Sequence, residues 1–364
     1  MRRRVAGVVA VASVLLMTSC GSGEPPAPEA STPESAPAPS LADVEPAADP
    51  RAFEGALKPA IADAAVRPVV QAPEPRLPAT VTDAQGTKVT VRDVSRVLAL
   101  DIHGTLSRTV FELGLGDRLV GRDISTQFEE AADLPLVTGT GHELNAEAIL
   151  ELDPTLILTD TSLGPWDVVL QLRDAGIPVV VVEPERHLGN VEEITEMTAA
   201  ALGVPQVGTQ LAERERKEIE EVEAQIEAVS PPKNERLRTI FLYVRGSAGV
   251  YYLFGEGSGA DDLIEAAGAY DVAEEIGWKG MRPATAEGIV AAAPEVVVMM
   301  TKGLDSTGGV EGLLEQLPAL AQTPAGQKQR FITMADSQIL GYGPLTADVL
   351  NALAVAIHAP EALQ

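Results

Sequence analysis

The strongest constraint on this chain is a pattern that it uses twice. Asn145-Ala-Glu147-Ala-Ile149 leads into Pro154 and an apolar run ending at Thr159, and Thr285-Ala-Glu287-Gly-Ile289 leads into Pro294 and an apolar run ending at Thr301. In both, a capping residue stands two before the glutamate and a proline seven after it. That order specifies an N-capped helix, a proline turn and a buried strand. Residues 105–120 and 258–273 are also alike. A chain that repeats such a unit builds two similar lobes.

Around the repeats, short β-rich runs at 97–100, 134–137, 155–159 and 178–182 alternate with helical patterns at 106–113, 146–152 and 166–175. A hairpin is expected over 81–91, turning at Gln85-Gly86, and strands resume at 238–244, 250–254, 295–300 and 330–335. Alternation of this kind predicts parallel sheets. A long charged helix over 191–229, weakened at Gly203-Val-Pro205 and stopped by Ser230-Pro231-Pro232, separates the halves. The expected fold class is therefore α/β: lobes at 79–189 and 231–364, one linking helix at 190–230, and a ligand cleft between the lobes.

The N-terminus carries Arg2, Arg3 and Arg4, then an apolar stretch over 5–17 too short to span a bilayer. It ends in Met17-Thr18-Ser19-Cys20, which resembles the bacterial lipobox, with Met17 where leucine is usual. The resemblance implies a signal peptide over 1–20 and a lipid (palmitate-type) anchor on Cys20, the sole cysteine, holding the protein on the extracytoplasmic face of the cell membrane. Residues 21–78 read as a disordered tether, with eight prolines between Gly21 and Pro50 and no large apolar face. A formal net charge of −26 excludes a general basic surface for nucleic acid. No nucleophile elbow, HExxH or P-loop points to an enzyme.

Leader, twin lobes and linking helix together resemble the helical-hinge (class III) substrate-binding proteins that serve ABC importers of haem, cobalamin and ferric siderophores, over residues 79–364. In open α/β sheets, ligands lie beyond the carboxyl ends of the strands. That rule singles out His142, in a loop expected to be flexible, and Tyr243 with Arg245, two apart on one face of a strand end. Imidazole and phenolate both suit ferric iron, and a guanidinium beside the phenol would favour its ionised form. The trio also resembles the haemin-binding lipoproteins of the HmuT type, in which segments like these carry the two axial ligands and a supporting arginine. The resemblance implies ferric haem b as the transported ligand, an ABC permease with its ATPase as partner, and a monomer. In relatives with this fold, glutamates placed like Glu147 and Glu287 dock onto permease arginines.

His103, also at a strand end, either lines the cleft or substitutes as a ligand. Met281, Met300 and Tyr342 are candidates to pack on a porphyrin face, although methionine is more often core filler. His187 and His358 read as surface positions, and Gly255-Glu-Gly-Ser-Gly259 as a tight turn or a propionate contact. A siderophore or cobalamin in the same cleft is the alternative ligand.

Overall fold

The computed structural model describes residues 33–364, so the leader, Cys20 and residues 21–32 lie outside the described residues. The described chain opens with two short parallel strands, β1 (Ser35–Pro37) and β2 (Lys58–Ala60). The hairpin follows as β3 (Ala79–Thr82) and β4 (Lys88–Val91), antiparallel as expected. The first lobe is built on β5 (Val97–Leu100), helix α1 (Thr105–Glu112), helix α2 (Ala146–Glu151), β6 (Leu156–Thr159), helix α3 (Trp166–Asp174) and β7 (Val179–Val181). Its three strands run parallel in the order β5-β6-β7, and every residue in them is buried, which is why they read as continuous apolar runs.

The linking segment is two helices, α4 (Val191–Ala201) and α5 (Pro205–Val229). The break falls where the sequence weakens. Gly203 has φ +78°, and a Cβ there would meet the Arg76 carbonyl oxygen at 2.8 Å. Pro205 then starts α5 with the φ a first helical residue needs.

The second lobe comprises β8 (Arg238–Arg245), β9 (Val250–Phe254), α6 (Ala260–Ala266), β10 (Tyr270–Asp271), α7 (Val272–Glu275), β11 (Met281–Pro283), α8 (Ala286–Ala292), β12 (Val296–Met300), α9 (Thr301–Asp305), α10 (Gly309–Gln316), α11 (Pro324–Gln327), β13 (Phe331–Met334) and α12 (Thr346–His358). The sheet order is β11-β9-β8-β12-β13, with β10 beside β8. Strands β8, β12 and β13 are parallel; β9 and β11 extend the sheet in antiparallel fashion. The repeat extends to the backbone. Asn145 and Thr285 cap α2 and α8 by accepting from the third residue on, and the non-glycine residues Asp153 and Ala293, each before a proline, have φ of 43° and 41°.

Two expectations need correction. Residues 134–137 do not form a strand: Pro135 supplies no N–H, and only Leu136 makes an isolated bridge, to Arg122. Residues 33–78 are not a disordered tether but an ordered strap across both lobes. Leu41, Phe53 and Leu57 join the core of the second lobe, where Leu57 donates to the Phe331 carbonyl and accepts from Thr333 N. Farther on, the strap crosses to the first lobe, where buried Arg108 donates to the carbonyls of Ala64 and Ala65 at 2.7 Å each. Val69 N then bonds the Glu112 carbonyl, and Arg76 N the Gly203 carbonyl. Its prolines suit the extended backbone, and its few apolar anchors are too widely spaced to show a period.

Candidate functional site

Tyr243 is held at the carboxyl end of β8 by the register with β9, which sets Tyr243 opposite Tyr252 and Phe241 opposite Phe254. The Tyr243 ring stacks on Phe254 at 5.9 Å between centroids, and Phe254 stacks on Phe241 at 5.1 Å. Arg245, exposed on the same strand face, lays its guanidinium carbon 5.8 Å from the centre of the Tyr243 ring. The hydroxyls of Tyr251 and Tyr342 donate to Gln316 Oε1 and to the Gly259 carbonyl, respectively. No described residue hydrogen-bonds the Tyr243 hydroxyl, which leaves its oxygen free to meet a ligand.

His142 stands in a loop that is closed rather than loose. Gly139 N donates to the Glu143 carbonyl at 2.7 Å, His142 N to the Gly139 carbonyl at 3.1 Å, and Asn145 N to the Val137 carbonyl at 2.9 Å. His142 itself adopts φ 66°, a left-handed conformation that histidine tolerates better than most residues. Its Nδ1 lies 3.5 Å from Ser125 Oγ. Burial, then the positive charges of Arg245 and Lys302 across the cleft, push its pKa down, so the ring is neutral at pH 7 and its lone pair is available.

These side chains converge on one cleft with two compartments. The smaller, about 280 Å³, is lined by His142, His103 and Ser125 from the first lobe and by Tyr243, Arg245, Met300 and Lys302 from the second. The larger, about 710 Å³, continues past Tyr243 and His103 to Tyr252, Phe254, Met281, Met300 and Leu340. Met281 is 63% exposed at its mouth, and Met300 is half-buried at the end of β12. The larger compartment lies within the size range of small-molecule sites and is predominantly apolar.

The floor of the first lobe holds a charge cluster that the sequence reading missed. Arg186 Nη2 lies 2.7 Å from Asp160 Oδ2 and 3.5 Å from Asp101 Oδ2. Asp101 and Asp160 directly follow β5 and β6, so an acidic residue after each strand was the available signal. Asp123 Oδ2 accepts from Asp101 N at 3.2 Å, and Ser162 Oγ accepts from Ile102 N at 3.0 Å. The cluster thus fixes the turn that presents His103. Burial, aided by the positive charge of Arg186, pushes the His103 pKa down to about 3. Burial, with Asp160 and Asp123 close by, pushes the Asp101 pKa up despite the arginine.

Other expected residues fall elsewhere. Tyr342 does not line the compartments around Tyr243: it is 4% exposed, with its hydroxyl donated to the Gly259 carbonyl. There it helps clamp a close approach of the lobes, since a Cβ on Gly259 would meet the Arg186 carbonyl oxygen at 2.3 Å. Gly255–Gly259 is a turn, closed by Ser258 N to the Gly255 carbonyl. His187 is not simply a surface residue; it lines the larger compartment, its Nδ1 4.0 Å from Asp262. His358 is also not at the surface: it is 3% exposed, its ring bonded to the Ala267 carbonyl, because α12 is apolar nearly all round. Glu147 and Glu287 are both exposed in the first turns of α2 and α8.

Residues 102–337 match the model of the periplasmic binding protein family. The chain belongs to that family. Among solved structures, this periplasmic binding protein is similar to the haem-binding protein HmuT, with 42% identity, a TM-score of 0.80, and coverage of 85% of this chain and 99% of that one. Structures of HmuT include variants in which a histidine, a tyrosine or an arginine is exchanged for alanine. Among curated proteins, it is similar to the uncharacterized ABC transporter substrate-binding lipoprotein YvrC of Bacillus subtilis (24% identity, 77% of this chain, 86% of YvrC). It is also similar to a cobalamin-binding protein of Halobacterium salinarum (26% identity, 77% of this chain, 74% of that protein).

Proposed function

We propose that this protein captures ferric haem between its lobes and hands it to the permease of an ABC importer, as a monomer anchored through Cys20 to the outer face of the cell membrane. The observation that carries this reading is the convergence of His142 from one lobe with Tyr243 and its stacked Arg245 from the other. A neutral imidazole and a phenol with a free oxygen offer iron one ligand from each lobe, and the nearby guanidinium favours the phenolate. Aromatic and thioether groups at Tyr252, Phe254, Met281 and Met300 suit the flat apolar faces of a porphyrin. HmuT, a haem-binding protein, carries its exchanged tyrosine and arginine two positions apart, as Tyr243 and Arg245 are here. The likeness to the lipoprotein YvrC supports the anchor and the importer. Exposed Glu147 and Glu287 are the residues we assign to permease docking.

The competing reading is cobalamin or a ferric siderophore in the same cleft, favoured by the halobacterial relative at lower identity. Titrating the purified mature chain with hemin and, separately, with cyanocobalamin and a ferric siderophore decides between them. Hemin is expected to give a saturable Soret change and the others none. Binding of cobalamin or siderophore with no hemin response would overturn the proposal.

A further inference from the structure

The larger compartment, which has the volume and the apolar walls for a porphyrin, is bordered by Tyr243 but not by His142. Two other first-lobe imidazoles border it, His103 and His187. His187 has its Nδ1 4.0 Å from Asp262, with its side chain 43% exposed. The His103 ring makes no hydrogen bond to any described residue, whereas the rings of His142 and His358 have polar neighbours at 3.5 Å and 3.0 Å. His103 also borders the smaller compartment, where His142 stands. Tyr243 and His103 are thus the phenol and the imidazole common to both compartments.

The backbone that carries His103 is held on both sides. Asp101 N and Ile102 N donate to Asp123 and Ser162, and Gly104 has φ +74°, with so little room that a Cβ there would meet the Ser125 carbonyl oxygen at 2.8 Å. The ring itself has open volume on more than one side, because a third cavity of about 470 Å³, lined by Ser125, Gln127 and Phe128, also reaches it. A fixed backbone with a ring free to turn suits a ligand that engages in one position and withdraws in another. Burial, then the charges of Arg186 and His142, keep the ring neutral, so its lone pair is free to meet a metal.

We propose that His103 is a second first-lobe ligand for the haem iron: haem in the larger compartment is held between Tyr243 and His103, and exchanges His103 for His142 as its iron moves toward the smaller one, with Tyr243 bound throughout. In that exchange one iron–imidazole bond breaks as another forms, with no change in protons, electrons or net charge. The proposal rests on the haem reading and adds a second coordination state to the same cleft. Two imidazoles on one path let the iron shift position without dropping to a single protein ligand.

Resonance Raman spectra of the mature chain loaded with ferric hemin, whose core-size bands separate six- from five-coordinate iron, test this. His142→Ala is expected to remain six-coordinate, and His142→Ala with His103→Phe to become five-coordinate on Tyr243. His103→Gln, which keeps a polar group but no ring, should act like His103→Phe and guards against a packing artefact. In hemin titrations, His103→Phe should cost about tenfold more affinity in the His142→Ala background than in the parent, because each imidazole covers for the other. A five-coordinate His142→Ala chain, or a double variant with the spectrum and affinity of His142→Ala, would overturn the His103 assignment and leave the haem reading standing. A parent chain with no saturable Soret change on hemin titration would overturn both.

Discussion

As an iron ligand Tyr243 would bind through its phenolate oxygen, with the guanidinium of Arg245 laid against its ring. We expect Tyr243→Ala to abolish or strongly shift the haem spectrum and His142→Ala to shift it less, because a tyrosinate alone can hold ferric haem. Absorption spectra of the two purified variants check this, and unchanged spectra in both would remove the ligand assignment. Arg245→Ala should lower haem affinity by about ten- to a hundredfold, as loss of a group supporting a metal ligand commonly does, while Arg245→Lys should recover only part of it because ammonium lacks the planar face. His103 is held neutral by its surroundings and shares both compartments with Tyr243, so it is positioned to approach a ligand.

At the scale of elements, two contacts invite measurement. Arg108 and Glu112 form a nearly fully buried pair one turn apart in α1, with Arg108 Nη2 2.7 Å from Glu112 Oε1, and the arginine also clamps the strap. Arg108→Ala leaves Glu112 with less compensation and frees the strap, so a loss of about 3 kcal/mol is expected in urea unfolding. In α5, Glu215 is buried with neither carboxyl oxygen hydrogen-bonded to a described residue. Burial, with Glu112 and Glu218 nearby, pushes its pKa up to about 8. Between its ordinary range and that value the folded chain holds a proton that the unfolded chain lacks, so this site's contribution falls as pH rises toward 8. Glu215→Gln should therefore raise Tm most at pH 8 and above and least near pH 5, seen by thermal scans across that range. The hairpin over 81–91 and the break at Gly203-Pro205 were legible in advance because turn residues and proline act locally. The strap was not, because Leu41, Phe53 and Leu57 reveal no period and find their partners only in β13, α12 and their neighbours.

For the whole molecule, the strap makes a second connection between lobes already joined by α4 and α5, and Thr105 Oγ1 to the Gly341 carbonyl at 2.8 Å adds a direct tie. Cys20→Ser should shift the protein from the membrane fraction to the medium, or leave an uncleaved precursor, with haem binding by the folded part unchanged; fatty-acid labelling retained by the variant would refute the anchor. The sequence alone determined the twin lobes, their parallel strands and the weak point of the linking helix, which the structure breaks in two, since capping, proline turns and apolar runs are read within a few residues of themselves. It also placed Tyr243 and Arg245 at a strand end, whereas His142 reaches the cleft from a loop that follows no strand. Only the tertiary structure decided which strand ends face one another and which aromatic rings back Tyr243, because the β8–β9 register is a matter of pairing. The same holds for the sinking of Tyr342 and His358 into the core and the gathering of Asp101, Asp160 and Arg186 beneath the cleft. Those outcomes depend on contacts between residues far apart in the chain, whose energy no local pattern encodes.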